Sequence, residues 1–259
     1  MKDCKLIITD IDGTLRSDTG SIPADFFSVA DSLYNKGVRI AIASGRQLKN
    51  MQQLFEPHTD RLLFIAHNGA TIADGRKILY DSTINPIDVS QCISFARSNN
   101  LTILLYNSDT ILTDDNSERL HSFLSSHFVP FTLCNDLTNN TDGIAKLSFV
   151  DLDGGIHLLK NDIAELNIAA FQANPYMIDV TAIGTNKGTA IRQLCKMMDT
   201  DCRDICAFGD SENDIDMLTT VGHAYAVANA PDKVKAVATV IPSNNDGGVI
   251  TTLKALFNL

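Results

Sequence analysis

The chain has 259 residues, 44% of them hydrophobic and 20% charged, with 21 Lys and Arg against 31 Asp and Glu and a net charge of -10. This is ordinary globular usage in a chain long enough to bury a sizeable core, and it excludes collagen-like, disordered and disulfide-scaffold classes. At roughly 150 residues per domain the length allows one domain with a large insertion or two modest ones, and the acid excess argues against nucleic acid as a partner.

Leu6-Ile7-Ile8 is an apolar run of the kind that forms a strand buried on both faces, and it leads into Asp10-Ile11-Asp12-Gly13-Thr14. A helix is predicted over residues 23–36, with Phe27, Ala30, Leu33 and Tyr34 at helical spacing and Asn35-Lys36-Gly37 as its stop. Residues 38–43 read as a second buried strand ending at Ser44-Gly45-Arg46, and a helix over 47–55 stops before Pro57. A third strand, 62–66, is followed by His67-Asn68-Gly69, and then two short extended segments flank the hairpin signal Ala73-Asp74-Gly75-Arg76. Strand, helix, strand, helix, strand in this order implies right-handed crossovers and a parallel sheet.

The texture changes around residues 82–88. Asn85-Pro86 opens a helix to about Ser98, paired strands flank Asn107-Ser108-Asp109, and a helix covers 117–127. After a polar loop, a strand over 144–150, a helix to about Glu165 and two short strands flanking Ala173-Asn174-Pro175 complete an α+β block. After Asp179 the parallel pattern returns: a helix over 187–198, a strand over 205–208 ending at Gly209-Asp210, a helix start at 213–218, and further strands and helices to Phe257. The expected fold is therefore α/β: a parallel-sheet core of residues 1–82 and 179–259, interrupted by an α+β insert of residues 83–178.

Six cysteines, Cys4, Cys92, Cys134, Cys195, Cys202 and Cys206, form no Cys-x-x-Cys pair, so neither a zinc knuckle nor a thioredoxin-type site is suggested. Core packing is the reading for Cys202 and Cys206, where a buried strand passes. The three apolar residues before Thr9-Asp10 are too few for a signal-peptide core, and no window approaches a membrane span. A cytoplasmic, reduced protein without membrane contact is expected.

In an open parallel sheet, ligands bind beyond the carboxyl ends of the strands. Asp10-x-Asp12, Ser44-Gly45-Arg46, the Lys187 region and Asp210 with Asn213-Asp214 all fall at or near such ends. Singly, each could be a turn or a helix cap; together they converge on one pocket. Asp10, Asp12 and Asp210 brought together would repel one another unless a hard divalent cation such as Mg2+ offset their charge. Lys187 and the N–H groups near Ser44-Gly45 supply donors for an anion. Metal, lysine, hydroxyl and carboxylate describe a phosphoryl-transfer site, with an aspartate as nucleophile and Asp12 protonating the leaving oxygen and then deprotonating water.

At this point the residues resemble a known family. Asp10-Ile11-Asp12-Gly13-Thr14-Leu15, Ser44, Lys187 and Gly209-Asp210-Ser211-Glu212-Asn213-Asp214 are similar, in order, to the four motifs of the haloacid dehalogenase superfamily. Ala41-Ile42-Ala43-Ser44-Gly45-Arg46, His67-Asn68-Gly69-Ala70 and the position of the α+β insert extend the resemblance over nearly the whole chain. The layout looks like the Cof-type, or type IIB-capped, sugar-phosphate phosphatases. The resemblance implies a Rossmann-like parallel-sheet core with an inserted α+β cap domain. By that resemblance Asp10 is nucleophile and metal ligand, and Asp12 is general acid/base and binds the metal through its backbone carbonyl. Ser44, Gly45, Lys187 and Asn213 hold the phosphoryl group. Asp210 binds Mg2+ directly, and Asp214 directly or through water. A carboxylate two residues after the nucleophile favours phosphatase or mutase chemistry, because it supplies the acid. The one departure is Ser44 where Thr is frequent, and Ser offers the same hydroxyl.

The implied function is a Mg2+-dependent phosphatase of small phosphorylated metabolites, monomeric or a small homo-oligomer. A phosphomutase of the phosphomannomutase kind and a non-catalytic sugar-phosphate-binding protein are the alternatives. The insert is expected to open and close over the site and to select the substrate. His67 either reaches substrate or sits in an exposed loop, and Arg46 contacts substrate or pairs with an acid. His121, His127, His157 and His223 lack metal-ligand spacing, and Asp114-Asp115 reads as a solvated loop.

Overall fold

The computed structural model describes residues 4–107, 110–126 and 130–259. Ser108 and Asp109 of the expected turn, and His127, lie outside them. By internal contacts the chain forms two compact units: Met1–Arg46, Met51–Tyr80 and Asn186–Leu259 make one, Gln47–Asn50 and Asp81–Thr185 the other.

The apolar runs become the strands expected of them. β1 (Leu6–Asp10) is buried at every residue, and burying each large aliphatic side chain is worth about 1.5–3 kcal/mol. α1 (Phe26–Asn35) presents Phe26, Val29, Ala30 and Leu33 to the core at i, i+3, i+4 and i+7. The sequence contains two overlapping helical stripes, and the buried one is displaced by a residue from the expected set. Tyr34 lies outside, beneath the guanidinium groups of Arg39 and Arg61. β2 (Arg39–Ala43), α2 (Leu48–Leu54), β3 (Leu62–Ala66), β4 (Thr71–Asp74) and β5 (Lys77–Asp81) follow.

In the second unit α3 (Pro86–Ser98) begins with Pro in its first turn and Asn85 as cap, whose side chain accepts the Ile87 N–H. Then come β6 (Thr102–Tyr106), β7 (Ile111–Thr113), α4 (Glu118–Ser126), β8 (Thr132–Leu133), β9 (Lys146–Val150), α5 (Lys160–Ala164), β10 (Ala169–Asn174) and β11 (Met177–Thr181). The sheet order is β10-β11-β9-β6-β7-β8 among the described residues. Period-two alternation divides it cleanly. Ile103, Leu105, Leu147 and Phe149 pack with Val89, Cys92, Ile93 and Ala96 of α3. Leu104, Tyr106 and Val150 pack with Leu120 and Leu124 of α4. The second face also carries a buried polar group: Lys146 Nζ lies 2.9 Å from Asp179 Oδ2, which shares its carboxylate with Ser148, and 4.1 Å from the Tyr106 ring centre. β11 runs through Thr181 in register with β9 and β10, so residues 179–181 belong to this sheet, past the boundary expected at 178. Ser82 and Thr185, where the chain enters and leaves this unit, are joined by a 3.0 Å hydroxyl contact.

The return to the first unit brings α6 (Lys187–Met198), β12 (Ile205–Gly209), α7 (Ile215–Thr220), β13 (His223–Val227), α8 (Asp232–Lys235), β14 (Thr239–Ile241) and α9 (Gly248–Phe257). Among the described residues the first sheet has the order β14-β13-β12-β1-β2-β3-β4-β5. Pairing is parallel from β14 through to β3 and antiparallel between β3 and β4. The carboxyl ends of β12, β1, β2 and β3 therefore share one edge of the sheet. No described helix is long and apolar enough to cross a membrane.

Candidate active site

Asp10 is the last residue of β1, Ser44 follows the last residue of β2, and Asp210 follows the last residue of β12. Lys187 opens α6, where Asn186 and Thr189 form a reciprocal capping box that fixes the helix start. The loop after β3 reaches that start so closely that a Cβ on Gly69 would collide with the Asn186 carbonyl, and Gly69 has φ +107°. The Lys187 side chain is fully buried, and its Nζ donates to Asp10 Oδ1 and to Asp214 Oδ1, each at 2.6 Å. Asp214 Oδ2 accepts the backbone N–H groups of Asp210 and Ser211, both at 3.0 Å. Thr14 donates to Asp210 Oδ1 at 2.7 Å. Gly13, with φ +83°, passes so near Asp210 that any Cβ there would strike its carboxylate.

One carboxylate oxygen from each of Asp10, Asp210 and Asp214 lies within 4.8 Å of the other two. When fully ionised, the three carboxylates exceed the one Lys187 ammonium by two negative charges. Burial, opposed by Lys187 and reinforced by Asp214 and Asp210, pushes the Asp10 carboxyl well above the usual range. Burial also raises Asp210 to about 6, against the Thr14 hydrogen bond. For Lys187, burial alone would lower the pKa, but Asp10 and Asp214 outweigh it and keep the ammonium charged. An all-oxygen donor set with an excess of two negative charges fits a hard divalent cation of the Mg2+ type.

Asp12 stands apart. Its carboxylate receives Arg46 Nε at 2.6 Å and Nη2 at 2.8 Å, with Arg16 Nη1 at 3.2 Å. Burial works to raise its pKa, but the Arg46 and then Arg16 contacts hold it below the usual value. Of the two roles open to Arg46, pairing with an acid is the one seen here.

Ser44 is buried, its hydroxyl accepting the Arg46 N–H at 3.2 Å while its carbonyl accepts the Asn68 N–H at 3.1 Å. Gly45 faces the Asn68 side chain, where a Cβ would come within 2.9 Å of Oδ1. Asn213 Nδ2 donates to the same Asn68 Oδ1 at 3.0 Å, and Ser211 Oγ donates to Asn213 Oδ1. Asn68 thus ties the second cluster to the fourth. Sequence reasoning gave it no role; the signal was an Asn after a strand end, a residue that tolerates the left-handed conformation it adopts at φ 56°. Thr14 and Arg16 were missed too. His67 is fully buried, its Nδ1 3.1 Å from Thr71 Oγ1, so the exposed-loop reading does not hold. His157 contacts its local Gly154 carbonyl, and His223 is exposed. Asp114 pairs with Arg97, and Asp115 accepts from Thr102 Oγ1 and the Ser117 N–H.

The chain is similar along almost its full length to proteins of known kind. It is 26% identical over 270 residues to 5-amino-6-(5-phospho-D-ribitylamino)uracil phosphatase YwtE of Bacillus subtilis (strain 168), covering 93% of this chain and 94% of that one. It is 24% identical to the phosphatase YbjI of Escherichia coli (strain K12), named for the same compound, over 96% of this chain and 94% of that one. A crystal structure from Streptococcus mutans UA159 superposes with a TM-score of 0.90 at 27% identity, covering 99% of this chain and 100% of that one. The model of the haloacid dehalogenase-like hydrolase family matches residues 7–253, and the protein belongs to that family.

Proposed function

We propose that this protein is a Mg2+-dependent phosphatase of small phosphorylated metabolites, sugar phosphates foremost, working through a phosphorylated Asp10. The observation that carries this reading is the convergence of Asp10, Asp210 and Asp214 around the buried Lys187 at the carboxyl edge of a parallel sheet. Family membership and the phosphatase names of its relatives support a phosphoric monoester hydrolase. The compound named for those relatives is a uracil that carries its phosphate on a ribityl chain, a small phosphorylated metabolite of the proposed kind.

Asp10 Oδ1 is held by Lys187, which leaves Oδ2 to attack phosphorus. Lys187, the Ser44 hydroxyl, the Gly45 N–H and Asn213 bind and orient the phosphoryl group. Asp12 passes a proton to the departing oxygen, then takes one from the water that releases phosphate and restores Asp10. Its contacts with Arg46 and Arg16 give way when the leaving oxygen takes their place. Asp10, Asp210, Asp214 and the Asp12 carbonyl would hold Mg2+, which when bound offsets charge on the phosphoryl oxygens. The α+β insert, with β11 through Thr181 included, forms the cap that selects the leaving group, and the six free thiols fit a cytoplasmic setting.

The test is a panel of sugar, polyol, nucleotide and cofactor phosphates assayed with Mg2+, on the parent and on Asp10→Asn. Release of phosphate from sugar or polyol phosphates, falling by several orders of magnitude in Asp10→Asn, is expected. Unreduced turnover in that variant would remove Asp10 as nucleophile. An isomerised phosphate ester as product would replace hydrolysis by mutase action.

A further inference from the structure

Away from the carboxylate cluster, two thiols meet. Cys195, near the C-terminal end of α6, and Cys202, at the 3-10 turn Cys202–Asp204, bring their Sγ atoms within 2.6 Å of each other. The backbone holds them there by bonds that involve neither sulfur. Asp199, in the left-handed conformation, closes α6 by donating its N–H to the Cys195 carbonyl, and the Thr200 N–H reaches the same oxygen at 3.0 Å. Asp201 caps the following turn by accepting the Arg203 N–H at 2.9 Å, and the Cys202 carbonyl accepts the Gly222 N–H at 3.0 Å. The two cysteines line an open cleft of ≈ 670 Å³ together with Arg192, Lys196, Thr200 and Asp201. Cys195 is buried and Cys202 half-buried, so a small reagent in the cleft meets Cys202 first.

We propose that Cys195 and Cys202 form a dithiol site that hydrogen peroxide converts into a single intramolecular disulfide. In the first step the Cys202 sulfur attacks one peroxide oxygen, the O–O bond breaks, and Cys202 becomes a sulfenic acid with loss of water. In the second step the Cys195 sulfur attacks the Cys202 sulfur. The S–O bond breaks, the S–S bond forms, and the hydroxyl leaves as a second water with the Cys195 proton. The two thiols are oxidised and the peroxide is reduced. A second close pair, Cys4 and Cys206 at 3.5 Å, is buried at both partners and offers no such opening. The phosphatase reading uses none of these groups.

The experiment treats the reduced full chain with hydrogen peroxide, blocks remaining thiols by alkylation and maps the unreduced tryptic peptides. Cleavage after Arg192, Lys196 and Arg203 places Cys195 in 193–196 and Cys202 in 197–203. The expected result is those two peptides joined, lighter by two hydrogen atoms than their sum and separated again by reductant. In Cys195→Ser the link should vanish and Cys202 should stop at a sulfenic acid that a 1,3-dione traps. The proposal is overturned if both parent peptides remain alkylated and unlinked, if Cys202 proceeds unlinked to sulfinic acid, or if the link forms at Cys4 and Cys206 instead.

Discussion

Lys187 divides one buried ammonium equally between Asp10 and Asp214, with 2.6 Å from Nζ to an oxygen of each. The side chain has no exposure to solvent, so among the described residues these two acids are what compensate its charge. Removing one partner from a buried ionic group typically costs roughly 3–5 kcal/mol, because the charge left behind is unpaired. Lys187→Met should therefore lower the Tm of the metal-free protein, and added Mg2+ should recover part of the loss. A Tm equal to that of the parent without metal would show that the three carboxylates do not depend on Lys187 for compensation.

Asp12 is assigned the proton transfers, and its loss should be felt according to the leaving group. In Asp12→Asn, kcat for alkyl phosphates should fall by about 10²–10⁴. For an aryl phosphate, whose leaving oxygen needs no proton, the phosphorylation step should suffer far less. Burst kinetics with both substrates check this. An equal loss with both in the phosphorylation step would remove Asp12 as the acid.

Asp210 receives Thr14 at one oxygen and stands with Asp10 and Asp214 in the acidic cluster. Ligand binding to the folded state stabilises it by about 2.7 kcal/mol at a hundredfold excess over Kd. Titrating Mg2+ should raise the Tm of the parent, and the rise should be much smaller in Asp210→Asn. Chelation should abolish turnover. Identical Mg2+ titrations in parent and variant would place the cation elsewhere.

In the second unit, Asp136 accepts the Thr138 N–H at 3.0 Å and Arg97 Nη2 at 2.9 Å. These bonds, the Thr138 backbone first, hold its carboxyl down at about 2, against an ordinary value of about 3.9 when unfolded. A depressed folded pKa means stability that is present above pH ~4 and lost as pH falls from there towards 2. Asp136→Ala should thus lower Tm at pH 7, and the gap to the parent should narrow between pH 4 and pH 2. A gap independent of pH would mean that the carboxylate charge contributes nothing.

Much of the core was legible because two simple signals agreed. Runs such as Leu6-Ile7-Ile8 mark strands buried on both faces, and the polar clusters at their ends mark the binding edge. Partner choice was not legible. Nothing local in the sequence says that Arg46 will grip Asp12 or that Asn68 will meet Asn213, since those pairs form only when separate strand ends are brought side by side. Lys146 and Asp179 show the same limit. Alternation places them on one face of their sheet, but whether that face is covered depends on packing that no single strand encodes. At α1, periodicity identified a helix and left its rotation ambiguous by one residue.

β1 lies between β2, which follows it closely in the chain, and β12, whose Ile205 pairs with Leu6 across the whole insert. A chain emerging from the ribosome can pair one edge of the nucleophile's strand early, but the other stays open until the segment near Gly209 has been made. Lys187, Asp210 and Asp214 arrive in that same late segment. Two of the three clustered acids, Asp210 and Asp214, are therefore delivered together with the Lys187 cation, after the insert has had time to fold. A ribosome stalled before residue 187 would display Asp10 at a strand end with none of its partners.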